Sequence, residues 1–209
     1  MKHISLKVTV PLCSFRRGTA REFLETERIP PPSTVYGFLL SLMGEWDRYR
    51  YSGTKIAIVI VRKPEISRIL RTVWRFKDTK KGPGIGNNKT LDYQEVLSGL
   101  EFGVWIQQGE LAQRVFSTLS KKGIGTERSG GLSLGESRDL VDQVDLNPEW
   151  TWETGYWLEK DSAGKICLPV WTDHVGAKGT KTQQFTLKEK PIRCPEEDAP
   201  QWIAMSPQE

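Results

Sequence analysis

Cysteine is scarce in this chain of 209 residues: Cys13, Cys167 and Cys194 stand far apart. An odd, dispersed set builds neither a disulfide framework nor a CxxC zinc knuckle. A reducing cytoplasm is the expected setting. Histidine is scarcer still. His3 and His174 are the whole supply, so no metal site is expected, and no cofactor. No apolar run approaches the roughly 20 residues of a spanning helix, so no membrane partner is expected. The opening Met1-Lys2-His3-Ile4-Ser5-Leu6-Lys7 puts charge where an export leader would be apolar.

Catalytic signatures are also missing. There is no GxSxG, no HExxH, no defensible carboxylate pair, and no lysine placed to complete a P-loop. A metal-free ribonuclease needs a base, a proton donor and a charge stabiliser. His3 is the one candidate base, beside Lys7 and expected within reach of Tyr36; a structural histidine in a strand is the ordinary alternative.

What the chain does carry is uneven charge. Residues 1–61 hold nine basic and five acidic side chains, and 62–138 hold fourteen and eight. Residues 139–209 reverse this, with seven basic and thirteen acidic. A basic body with an acidic tail region points to a polyanion on the first two thirds.

Ile4, Leu6, Val8 and Val10 alternate with polar residues, which predicts a strand with one buried face. Ser33 is placed to cap a helix over about 34–46, with Val35, Phe38, Leu39, Leu42, Met43 and Trp46 on its apolar face. Its start is a possible phosphate site, with Arg16, Arg17 and Arg21 upstream; a plain N-cap is the simpler reading. Ile56 to Val61 reads as a central strand. Leu70, Thr72, Trp74 and Phe76 then alternate with Arg71, Val73, Arg75 and Lys77. A turn or flexible tip bearing Lys80 and Lys81 follows, and Thr90 to Leu97 returns. This long hairpin suits single-stranded RNA, with cations for phosphates and rings for bases. A solvated, lysine-guarded edge reads equally well. A short strand at 102–106, a helix over about 109–121 and a glycine-rich loop at 123–138 complete the body. The order predicts an α+β sandwich of the ferredoxin-like kind over 1–144, with helices on one face of its sheet and the other face open. Residues 145–209 read as a small β-rich C-terminal extension.

Three runs carry a resemblance. They are Val10-Pro11 to Phe15-Arg16, Arg21-Glu22-Phe23-Leu24-Glu25-Thr26, and Pro31-Pro32-Ser33-Thr34-Val35-Tyr36-Gly37-Phe38-Leu39-Leu40-Ser41-Leu42. Together they look like the amino-terminal signature of the Cas-five family, in its DevS-type branch. The loop Ser129-Gly130-Gly131-Leu132-Ser133-Leu134-Gly135-Glu136-Ser137-Arg138 resembles that family's glycine-rich loop. The likeness spans roughly residues 3–140.

The resemblance implies a RAMP-type (RRM-like) ferredoxin-like domain with a protruding hairpin thumb at 67–97. Such proteins cap the 5′ handle of CRISPR RNA (crRNA) in type I Cascade effector complexes. They touch a Cas-seven type backbone subunit and the Cas-eight type large subunit, near target DNA at the protospacer-adjacent motif (PAM). Arg21, Ser33 and Tyr36 would lie by the handle. The loop with Arg128, Gly130, Gly131, Ser133, Ser137 and Arg138 would line the same groove. One branch of the family cuts precursor RNA with a tyrosine, lysine and histidine set. No clear equivalent stands here, so binding without cleavage is expected.

Overall fold

In a computed structural model the chain is described at residues 3–18, 20, 23–74, 76–120, 130–150, 154–173 and 179–207. Among the described residues the strands form one ten-stranded sheet with two helices packed on it. The first strand, β1 (Ile4–Cys13), buries Ile4, Leu6, Val8 and Val10, as its alternation requires. After the two-residue β2 (Phe23–Leu24) comes α1 (Pro32–Met43).

Helix α1 starts and stops earlier than the sequence predicts. Pro31 is its N-cap and Pro32 its first residue, so Ser33 lies inside the helix and caps nothing. Pro32 brings no N–H, and the amides of Thr34 and Val35 both donate to the Pro31 carbonyl. Gly44 ends the helix in the left-handed conformation, at φ 70°. Trp46 therefore falls past the helix and stands 87% exposed rather than on the apolar face.

The strand β3 (Lys55–Arg62) is central, between β5 (Lys89–Ile106) and β7 (Thr154–Lys160). The hairpin of β4 (Glu65–Trp74) with β5 runs in unbroken register from Glu65 opposite Ser98 to Trp74 opposite Lys89. The short strand expected at 102–106 is the far half of β5. Ser98 and Leu100 both keep partners on β1, so the strand passes through Gly99 without a break. Helix α2 (Glu110–Ser120) matches its prediction, with Leu111 and Val115 buried. The edge strand β6 (Gln143–Leu146) pairs with β1.

The last third builds onto the same sheet. β9 (Gly179–Pro191) lies between β7 and β8 (Ile166–Asp173), and β10 (Ile203–Ala204) pairs with the start of β3. Leu158, Val170, Trp171, Phe185 and Met205 join the main core beneath α1 and α2.

The sheet's second face is not open, contrary to expectation. Ala57, Val59 and Trp105 point away from the helices. They meet Trp157, Ile192 and Trp202 in a second core, with Trp150 at its margin. The Trp105 ring lies 4.9 Å from Trp150 and 5.0 Å from Trp157, centroid to centroid. Trp150, Trp157 and Trp202 are the cover for that face.

Candidate nucleic-acid interface

A groove of about 680 Å³ opens beside the start of α1. Arg16, Ser33, Gly37, Trp46, Arg48 and Glu136 line it, together with Gly135 and, from β8, Pro169 and Thr172. It therefore joins the arginine-rich arm, the helix start and the glycine loop. Arg16 is exposed there. Of the first turn's amides, Ser33 N–H alone has no partner among the described residues. The anion-binding capacity expected at this helix start is thus one amide rather than a ring of them.

Trp46 and Arg48 are groove residues that sequence reading missed. The periodicity assigned Trp46 to the core, and only the Gly44 stop reveals otherwise. The Arg48 guanidinium lies 4.9 Å over the Trp171 ring, with its Nε buried and unpaired among the described residues. Nearby, Glu45 is held below the usual carboxylate range by the Asp47 amide, with help from Arg50 at 2.8 Å.

Tyr36 does not face the groove, a correction to its expected role. It is fully buried, its ring packs 5.6 Å from Trp171, and its hydroxyl donates to the Arg48 carbonyl at 2.7 Å. Burial pushes its phenol up to about 12. Arg17 is half-buried and paired with Glu25 at 3.8 Å and Glu27 at 3.5 Å. Arg21, Arg75, Arg128, His174 and the loop's first part, 123–129, lie outside the described residues.

The rest of the glycine loop is held by a buried polar node. Asp139 Oδ2 accepts the amides of Ser14 and Glu136, both at 2.8 Å. Gln94, on β5 and 1% exposed, donates to Ser14 Oγ at 3.0 Å and to Glu136 Oε1 at 2.8 Å. Arg138 pairs with Glu136 at 2.9 Å and donates to Gln94 at 2.6 Å. Gly135 has φ 106°, and a Cβ there would stand 2.6 Å from the Ser14 carbonyl oxygen. Only glycine fits that approach. Gly130, Gly131, Ser133, Ser137 and Arg138 do not line the groove itself; Gly135 and Glu136 represent the loop there.

The hairpin forms a separate surface. Beyond Leu97 its strands leave β1, and Leu70, Trp74, Leu91 and Tyr93 are exposed on one face, with Phe76 exposed just beyond β4. Arg71, on the other face, is half-buried opposite Asp92. Lys77, Lys80 and Lys81 are exposed at the tip. The tip is a hydrogen-bonded turn. Asn88 is fully buried, accepts the amides of Lys77 and Asp78, and donates to the carbonyls of Asp78, Lys81 and Gly82.

A "CRISPR-associated protein Cas5" from Myxococcus xanthus (strain DK1622) is 40% identical over an alignment of 194 residues that covers 89% of this chain and 90% of that protein. The chain belongs to the Cas5 family. No family model matches it. Among solved structures, a "CRISPR RNA-guided surveillance complex" chain superposes with a TM-score of 0.62 at 13% identity, covering 94% of this chain and 95% of that one. A "Cas protein" crystal structure gives 0.54 at 14% identity, with 90% and 95% covered. Both likenesses are of fold.

Within this Cas5-family fold His3 sits apart from the groove. Its Nδ1 accepts the Gln108 amide at 3.2 Å, and its ring lies 5.2 Å from that of Trp202. It shares a shallow pocket with Glu110, Gln113 and Glu197, not with Tyr36. Among the described residues no set of three metal-ligating side chains converges, and no helix is long and apolar enough to cross a membrane.

Proposed function

We propose that this chain is a non-catalytic subunit of a type I Cascade complex, that its groove grips the 5′ handle of the crRNA, and that it helps seat the large subunit near the PAM. The carrying observation is the convergence of Arg16, Ser33, Trp46 and Arg48 on one groove. Cations and an amide suit phosphate, and an open indole suits a base. The family membership supports the same reading. So does the strand order β6-β1-β5-β3, antiparallel throughout, with α1 after β1 and α2 after β5. That order supports the ferredoxin-like reading, with the hairpin at 67–97 as its thumb. Trp74, Phe76 and Tyr93 on the thumb stand open to bases or to a backbone subunit.

The test is binding of a labelled repeat-derived 5′ RNA across a salt series. Arg16→Glu is expected to weaken binding and to lower the salt slope by roughly one. Trp46→Ala is expected to cost about 1–3 kcal/mol of affinity, and to change stability by less than about 0.5 kcal/mol because the ring is exposed. Unchanged affinity in both variants would sink the groove assignment. The alternative function is a metal-independent endoribonuclease acting on repeat RNA. Incubating the protein with precursor RNA in a chelator decides it, and discrete products would establish cleavage. A second alternative makes the thumb a protein contact alone; deleting its tip, 76–87, would then leave RNA affinity intact.

A further inference from the structure

Arg16 and Arg17 are neighbours in an extended arm, yet they open onto different hollows. Arg16 lines the groove already described, and Arg17 lines a second cleft of about 640 Å³. This cleft lies between the arm, the β3–β4 turn and the β8–β9 hairpin. Its floor is aliphatic: Ile29, Ile60 and Leu168 are buried and Ile166 is half-buried. Its rim carries three exposed cations, Arg28, Lys63 and Lys165. None of the three has an ion-pair partner among the described residues. Lys63 rests instead over the Tyr156 ring at 3.4 Å. Among the described residues the cleft's one carboxylate, Glu27, is already answered by Arg17.

This chemistry discriminates between ligands. A nucleic acid would find cations here but no ring to stack on, since among the described residues no aromatic side chain lines the cleft. Aliphatic walls reward the burial of an aliphatic anchor. Unneutralised cations around an apolar floor complement a segment with carboxylates flanking such an anchor. We propose that this second cleft docks an acidic, aliphatic-anchored segment of a neighbouring protein subunit. The proposal rests on the reading of the chain as one subunit of a multiprotein ribonucleoprotein, and it assigns the cleft to protein and not to RNA.

The assembly isolated from its host is the material for the test. Carbodiimide joins a lysine amine to a carboxylate only where the two touch. Lys63 and Lys165 are expected to be linked to aspartate or glutamate in one segment of another subunit. Cys167 lines the cleft and is exposed, whereas Cys194 is exposed elsewhere. Iodoacetamide should label Cys167 roughly tenfold more slowly in the assembly than in the free chain, an occluded fraction of about nine tenths, with Cys194 as the internal reference. Lys63→Glu combined with Lys165→Glu should abolish the cross-link and release that subunit, with handle RNA affinity held within about twofold. Equal labelling of Cys167 in both states would overturn the proposal. So would ultraviolet cross-links from Lys63 or Lys165 to RNA, or a parallel fall in handle affinity. An assembly without crRNA would instead strike the handle reading, while the carbodiimide result still scores the cleft.

Discussion

Arg138 reaches from the glycine loop to donate, through Nη2, to Oε1 of Gln94 on the hairpin's long strand, 2.6 Å away. The two residues are far apart in sequence and belong to different parts of the candidate interface. Their contact closes a ring with Glu136 and Ser14. The loop, the arm and the root of the hairpin are therefore held as one piece.

Gln94→Leu should loosen that piece. It fills similar space but leaves Ser14 Oγ and the Arg138 guanidinium each short of a partner. The expected cost is about 1–3 kcal/mol in denaturant unfolding, with a fall in handle RNA affinity as the groove wall loses its brace. Arg138→Ala should cost less, because its side chain is half in solvent.

Asp139 carries a pH signature. Burial raises its carboxyl above the ordinary value of 3.8, although the amides of Glu136 and Ser14 pull the other way. The folded state then binds a proton more readily than the unfolded chain. The residue's contribution to stability is present below the ordinary carboxylate value and is lost as pH rises through the folded one. Asp139→Asn keeps an oxygen for both amides and removes the titration. Its stability relative to the natural chain should improve from about pH 4 to neutrality, as read by urea unfolding across that range. A flat difference would show that the node is not titrating.

Asn88 should act locally. Its side chain ties five backbone groups at the hairpin tip. Asn88→Ala leaves them to water and is expected to cost about 1–3 kcal/mol of local stability. Hydrogen exchange at the Lys77 and Asp78 amides should accelerate. The global unfolding midpoint should barely move, since the tip lies outside both cores.

Trp202 tests the second core. It is 2% exposed, and its indole donates to the Glu196 carbonyl at 2.8 Å. Trp202→Ala is expected to cost about 3–5 kcal/mol, measured by chemical unfolding. A loss below about 1 kcal/mol would show the second face to be self-sufficient.

Wherever a local pattern decides structure, the sequence announces it. The alternation of Ile4 to Val10, the β-branched run at 56–61, the spacing of Leu111 and Val115, and the long basic hairpin are all visible before folding. Family likeness adds the groove's two walls. What stays hidden depends on partners distant in the chain. Tyr36 has a hydroxyl and a place near a helix start, but its burial under Trp171 is a tertiary fact. Arg17 and Arg138 read as open cations until Glu25, Glu27, Glu136 and Gln94 are brought to them. Trp46 follows the helical period two residues beyond the glycine that stops the helix. The covered second face was hidden for the same reason. Its tryptophans sit in a stretch without periodicity, and only the return of the chain across the sheet places them.

That return has a kinetic consequence. Ile203 lies opposite Ile56, a partner most of the chain's length upstream, and one edge of β3 is shared between β10 and the middle of β7. Contacts of such long separation form slowly, because the loop they close must be ordered first. During synthesis the central strand therefore waits, with part of its edge unpaired, until residues 203–204 have left the ribosome. In that interval the nascent chain offers a free β edge to anything nearby. Slow translation before residue 203 should thus favour aggregation, and shortening the chain before that point should leave a body that never fully closes.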